Sequence, residues 1–190
     1  MCIRDSIIGR LDFKGDWGQA AVGAMVRNLA IDTTVGGVQV EDDEWAGAVM
    51  AGIRLNTGGK NHIKAAANFG ATGRYVSYNV FPGGHIDANG DIDSIDVFGA
   101  NIGYTHHWSQ NWYSTALVGY ASADNDSNVR GAANDEIWNT LVNLMWKPSN
   151  WPKARFGIEW LHANREVDGT GLAEDEGDLD RIQFSTKYSF

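Results

Sequence analysis

From Glu136 to Lys147 the chain sets two kinds of residue on alternate positions. Trp138, Thr140, Val142, Leu144 and Trp146 share one face of an extended strand, and Asn139, Leu141, Asn143, Met145 and Lys147 share the other. A helix of 3.6 residues per turn would scatter both sets around its circumference, so a period of two points to a β-strand. The two tryptophans stand about 27 Å apart along it. With a tilt of roughly 45°, such a strand spans most of an apolar band about 25 Å tall, with an aromatic residue at each margin.

The pattern recurs along the chain. Ile95 to Trp108 sets Phe98, Ala100, Ile102, Tyr104 and Trp108 against Asn101, Thr105 and His107. Lys153 to Glu166 sets Phe156, Ile158 and Trp160 against Arg155, Glu159 and Arg165. Trp45 to Leu55 sets Trp45, Val49, Ala51, Ile53 and Leu55 against Met50 and Arg54, and His62 to Gly70 sets Ile63, Ala65, Ala67 and Phe69 against Lys64 and Asn68. Gln19 to Ala30 is weaker, with Val22, Ala24 and Val26 against Gln19 and Arg27. Ile8 to Lys14 opposes Leu11 and Phe13 to Arg10, Asp12 and Lys14. Trp112 to Ala123 reads as a strand whose facing stays ambiguous. The last ten residues oppose Ile182, Phe184, Thr186, Tyr188 and Phe190 to Arg181, Gln183, Ser185, Lys187 and Ser189.

Links between these segments alternate in length. Short ones fall at Gly15-Asp16, Asn56 to Asn61, Ser109 to Asn111 and Pro148 to Pro152. Long polar ones fall at Asp32 to Glu44, Ala71 to Asp93, Asp124 to Asp135 and Asp168 to Asp178. Short turns at one end and long loops at the other are the arrangement of an outer-membrane barrel. The expected fold is therefore all-β, a transmembrane antiparallel β-barrel with about nine strands here. Bacterial single-chain barrels close with an even number, and an open edge in lipid strands backbone groups without partners. Further strands upstream are accordingly expected.

Composition permits this. Mean hydropathy is −0.31, and no run approaches the roughly 18 apolar residues of a membrane helix. A barrel strand is apolar on one face only, so the average stays modest. Eight tryptophans suit membrane interfaces, and 23 glycines with 3 prolines suit turns without breaking strands. The single cysteine, Cys2, excludes a disulfide framework, and a net charge of −9 disfavours nucleic acid. The N-terminus shows no secretory h-region, so residues 1–6 are set apart as non-native or unassigned, and 7–190 as one barrel domain.

Several stretches resemble the DcaP-like porins of proteobacteria: Gly15-Asp16-Trp17-Gly18, Gly103 to Ser109, Leu117 to Asp126, Phe156 to Trp160, and Arg181 to Phe190. The resemblance covers most of residues 7–190 and makes this the C-terminal part of such a protein. It implies a trimeric barrel of about sixteen strands, uptake of small anions such as dicarboxylates, and a last strand read by the barrel assembly machinery.

Charge is the main functional signal. Acidic residues gather in the long links, at Glu41 to Glu44, at Asp87, Asp91 and Asp93, and from Glu174 to Asp178. Basic residues gather on the non-apolar strand face: Arg10, Lys14, Arg27, Arg54, Lys64, Arg155, Arg165, Arg181 and Lys187. In a barrel that face lines the lumen, where cations raise the local anion concentration and arginine pairs with carboxylates in a bidentate fork. Asp12 and Glu159 can instead neutralise Arg10 and Arg155, giving a weakly selective lumen. The interface aromatics are Trp45, Trp108, Trp138, Trp146, Trp160, Tyr188 and Phe190.

Other chemistry finds little support. Asp87 to Asp93 departs from a calcium loop in its glycine position and lacks the closing glutamate. The acidic links are solvated loops by default and could otherwise hold divalent cations that bridge lipopolysaccharide. His106 and His107 point to opposite faces of a strand, so they form no chelate. Nucleophile-elbow, phosphate-loop and His-Glu-x-x-His patterns are absent, so no enzyme, metal or cofactor is expected. The expected function is passive diffusion of small hydrophilic solutes across a bacterial outer membrane. A structural or adhesive barrel, or a soluble β-sandwich that binds a ligand, would be the alternatives. Any constriction would come from an infolded loop, for which Ala71 to Asp93, with Arg74 as its only basic residue, is the longest candidate.

Overall fold

The computed structural model describes residues 2–35, 37–73, 80–86, 90–125, 133–168 and 174–189, without the side chains of 2–5, 35 and 38. Arg74, Asp87, Asp126 and Phe190, named above, lie outside the described residues.

The strands are β1 (Cys2–Gly15), β2 (Gly18–Val35), β3 (Val38–Gly58), β4 (Asn61–Gly70), β5 (Gly84–Ile86), β6 (Ile92–Ser94), β7 (Val97–His107), β8 (Trp112–Ala123), β9 (Ala133–Trp146), β10 (Ala154–Asp168) and β11 (Glu176–Tyr188). Nine of them form one antiparallel sheet in the order β1-β2-β3-β4-β7-β8-β9-β10-β11. Each strand pairs with its neighbour in the chain, apart from β5 and β6, which make a separate two-stranded hairpin. The large sheet is open: β1 and β11 are its two edges among the described residues.

Register turns the alternation of the sequence into two faces. Lys14 faces Gln19, Gln19 faces Arg54, Arg54 faces Lys64, and Lys64 faces Gly103. Directly opposed residues share a face, so the row continues through Leu117, Leu141 and Leu161 to Arg181. The same arithmetic puts Leu11, Val22, Ala51, Ala67, Ala100, Tyr120 and Trp138 on the other face. The first face lines one hollow reached by all nine strands, from Arg10 on β1 to Arg181 on β11. The right-handed twist of strands curls such a sheet, and here it curls around the polar face.

The convex face carries the large apolar side chains, and they are uncovered. Trp45, Val49, Phe69, Ile102, Val118, Ile182 and Phe184 are each more than half exposed. Burying one such side chain is worth roughly 1.5–3 kcal/mol, so a continuous sheet of them is a surface built for lipid rather than water. No helix of the described residues is long and apolar enough to cross a membrane.

Register also settles β8, whose facing the sequence left open. Trp112, Ser114, Ala116, Val118 and Tyr120 face outward, and Tyr113, Thr115, Leu117, Gly119 and Ala121 face the hollow. A second difference concerns Asp32 to Glu44, read above as a loop. Strands β2 and β3 remain paired from Gly18↔Leu55 to Val35↔Val38, so this segment is a long hairpin extending the ladder. Its acidic residues alternate faces as strand residues must, which is why composition alone suggested a loop.

Candidate functional site

Two buried clusters lie on the concave side, near the end of the sheet that carries the long links. In one, Leu29 and Ile31 of β2 and Ala46 of β3 meet Ala71 and Ile92. In the other, Phe81 and Ile95 meet Val97 of β7 and Ala121 and Ala123 of β8, with Val80 and Ile137 packed against them. Residues 80–86 and 90–96 therefore fold inward and lie across the wall, from β2–β3 on one side to β7–β9 on the other. An apolar patch on the face of a water-filled hollow is stable only if something covers it. The covering segment explains why the inner face of β8 is apolar at this end.

Hydrogen bonds latch the inward segment at both sides. On β3, Asp42 Oδ2 accepts from the Ile92 amide at 2.8 Å and Glu44 Oε1 accepts from Ser94 Oγ at 3.3 Å. On β9, Asn134 Nδ2 donates to the Val80 carbonyl at 2.5 Å. Thr72 Oγ1 donates to the Val97 carbonyl at 3.3 Å. Arg27 of β2 is fully buried beneath the segment, its Nη2 3.5 Å from the Gly83 carbonyl that accepts from it.

Below this segment the hollow is mixed in charge among the described residues. Arg10 forks onto Asp12, with a shortest contact of 2.7 Å. Arg181 lies 4.0 Å from Glu159. Lys14, Arg54 and Lys64 occupy three of the four positions Lys14-Gln19-Arg54-Lys64 on adjacent strands. No carboxylate among the described residues forms an ion pair with any of the three, although Asp12, two residues from Lys14 on the same face, interacts with it electrostatically. Like charges directly opposed on neighbouring strands destabilise a sheet, so Arg54 against Lys64 costs stability unless an anion sits between them. Arg155 and Lys187 form a second directly opposed cationic pair near the short-turn end, and Arg165 stands on β10 beside Gly177 of β11.

Neutral small residues fill the wall between the charged flanks: Gly52, Ala66, Asn101, Gly119, Asn139 and Ala163. A side chain on Gly119 would come within 2.5 Å of the Asn139 Oδ1 amide and 3.8 Å of the Asn101 Cβ. Glycine there lets the two amides occupy the wall side by side. These amides escaped the sequence reading, which weighed charge alone; their signal was an asparagine opposite glycine on successive inward positions.

The aromatic residues sit in two bands on the convex face. At the short-turn end, Trp112 stacks on Trp146 with centroids 5.8 Å apart, Trp146 meets Phe156 at 5.6 Å, and Trp108 Nε1 donates to Ser114 Oγ. Tyr188 lies at the same end, opposite Ala154. Toward the long-link end, Trp138 meets His162 at 5.0 Å and Trp160 Nε1 donates to Asp180 Oδ1, while Trp45 stands opposite Asn28 on β3. Beyond this second band, Glu136, Glu166 and Glu176 are opposed across three strands. Desolvation first, then repulsion from Glu136, Glu176 and Asp135, raises the Glu166 carboxyl above its ordinary range. Burial, then Asp168 and Glu136, does the same for Asp135.

No protein-family model matches the chain, and no curated protein matches it. Two solved structures share its fold. The outer membrane channel DcaP of Acinetobacter baumannii superposes with a TM-score of 0.76 at 18% identity, over 97% of this chain and 54% of that one. The NanC porin superposes with a TM-score of 0.50 at 8% identity, over 99% of this chain and 98% of that one. The chain thus spans about half the length of the DcaP channel and shares the porin β-barrel fold, as an open sheet of nine strands.

Proposed function

We propose, on the premise of a porin β-barrel fold, that the chain forms part of an outer-membrane channel through which small organic anions, dicarboxylates among them, diffuse. The observation that carries this reading is the row Lys14, Arg54 and Lys64, three cations on the concave face that form no ion pair with a carboxylate among the described residues. Such a row, running across adjacent strands with Arg54 directly opposite Lys64, holds an attractive potential for anions. Arg10, Arg155, Arg165, Arg181 and Lys187 extend the path on either side, and Arg27 lies beneath the inward segment. The long links face the cell exterior, and the aromatic bands sit at the two lipid interfaces. Lipopolysaccharide meets the outer band, the assembly machinery reads β11, and the assembled state is a homotrimer. Diffusion needs no cofactor and no enzymatic step.

The inward segment favours one competing reading, a plugged structural barrel, and conductance separates the two. Protein purified from its native membrane, placed in planar bilayers under a potassium chloride gradient, is expected to conduct with a reversal potential on the chloride side. Cation preference would refute the anion reading, and an absence of conductance would refute the channel.

A further inference from the structure

The wall next to the cationic row is not a neutral filler. Lys64 of β4 faces Gly103 of β7, over which the Leu117 side chain of β8 reaches. Asn101, two residues before Gly103, is the diagonal neighbour of Lys64 on the same concave face, within about 7–8 Å. Asn101 in turn faces Gly119, which faces Asn139. Neither amide has a hydrogen-bond partner among the described residues, and both line the hollow. Each presents two N–H donors and a carbonyl acceptor to the solvent of the lumen. Arg54 and Lys64 thus supply charge, and β7 beside Lys64 supplies the donor and acceptor groups of Asn101, two strands from Arg54.

A plain di-acid uses only the first of these. A di-acid with hydroxyl groups on the carbons between its carboxylates uses both: one carboxylate at Arg54 and Lys64, and hydroxyls that donate to the Asn101 Oδ1 and accept from its Nδ2. We propose that this part of the wall discriminates among small organic anions in favour of hydroxylated carboxylates. The inference rests on the anion-channel reading and sharpens its substrate class. The discrimination lies in the amides, and the attraction lies in the cations.

Succinate and tartrate test it, since they share a carbon skeleton and two carboxylates and differ by two hydroxyls. Zero-current potentials of the purified protein in planar bilayers give the permeability of each relative to potassium, alongside that of chloride. The tartrate-to-succinate ratio is expected to exceed the ratio of their free mobilities. In the double variant Asn101→Ala with Asn139→Ala it is expected to fall by about threefold or more, the scale of one net hydrogen bond. Lys64→Gln is expected to lower both di-acids together. Anion selectivity with a wild-type ratio no greater than free mobility overturns this inference and leaves the channel reading standing, even if the double variant does not assemble. Cation selectivity removes the reading beneath it as well.

Discussion

Phe81 holds one side of the inward segment. Its side chain is 1% exposed among Ile95, Val97, Ala121 and Ala123, on a wall whose ladder does not include it. Replacing it with alanine removes the whole ring from that cluster, a loss of about 3–5 kcal/mol for a buried phenylalanine. The nine-stranded sheet keeps its ladders, so the cost falls on docking of the segment. At about 3 kcal/mol the population with this side undocked rises by a factor of about 150. The latch at Asp42 and Glu44 lies on β3, across the hollow, and still tethers the hairpin. Two readouts follow from this geometry. Amide exchange at 80–86 is expected to accelerate while exchange in β7 and β8 stays slow. Single-channel records are expected to show a higher or flickering conductance, because the segment lies across the hollow. Unchanged protection at 80–86 together with an unchanged record would refute the view that this apolar contact holds the segment in place.

Other outcomes follow from single positions. Gly18 sits at φ +138°, and a side chain there would run into the Arg54 carbonyl, so Gly18→Val is expected to cut the yield of assembled protein sharply, measured as the heat-modifiable band in gels. Glu166 and Asp135 have raised folded-state pKa values, so their protonated forms favour the folded end of β9–β11. That contribution is present below their ordinary carboxylate range and is lost as pH rises through the raised values. Glu166→Gln is therefore expected to slow amide exchange at 133–136 and 164–168 at neutral pH and to have little effect at acid pH; the opposite dependence would refute the repulsion.

Much of the architecture was legible because a strand with one apolar and one polar face has a period of two. On β3, β4, β7, β9, β10 and β11 one face must be apolar and the other meets water, so facing could be read residue by residue. It failed on β8, where Ala121 and Ala123 are apolar on the wet side because Phe81 and Ile95 cover them. No local pattern announces a contact across 40 residues of chain. Acidic composition misled at Glu41 to Glu44, where the ladder continues and two of the carboxylates become latches for the hairpin. The basic wall was legible as a set, but partnership was not: Arg10 carries its own aspartate, Arg27 is covered, and Lys14, Arg54 and Lys64 remain open. Sequence spacing gives the face of a side chain, whereas neighbours on adjacent strands depend on register, which no single strand encodes.

The inward segment also fixes an order of events in time. Among the described residues its fastenings lie on β2, β3, β7, β8 and β9, all interior to the sheet, and none lies on the edge strands β1 and β11. It can thus be seated while the wall is still an open trough. Once a barrel has shut, the same residues could reach their places only by passing back through its mouth against their own latches. On the barrel reading closure then comes last, and Phe81→Ala is expected to slow assembly as well as to loosen the docked segment.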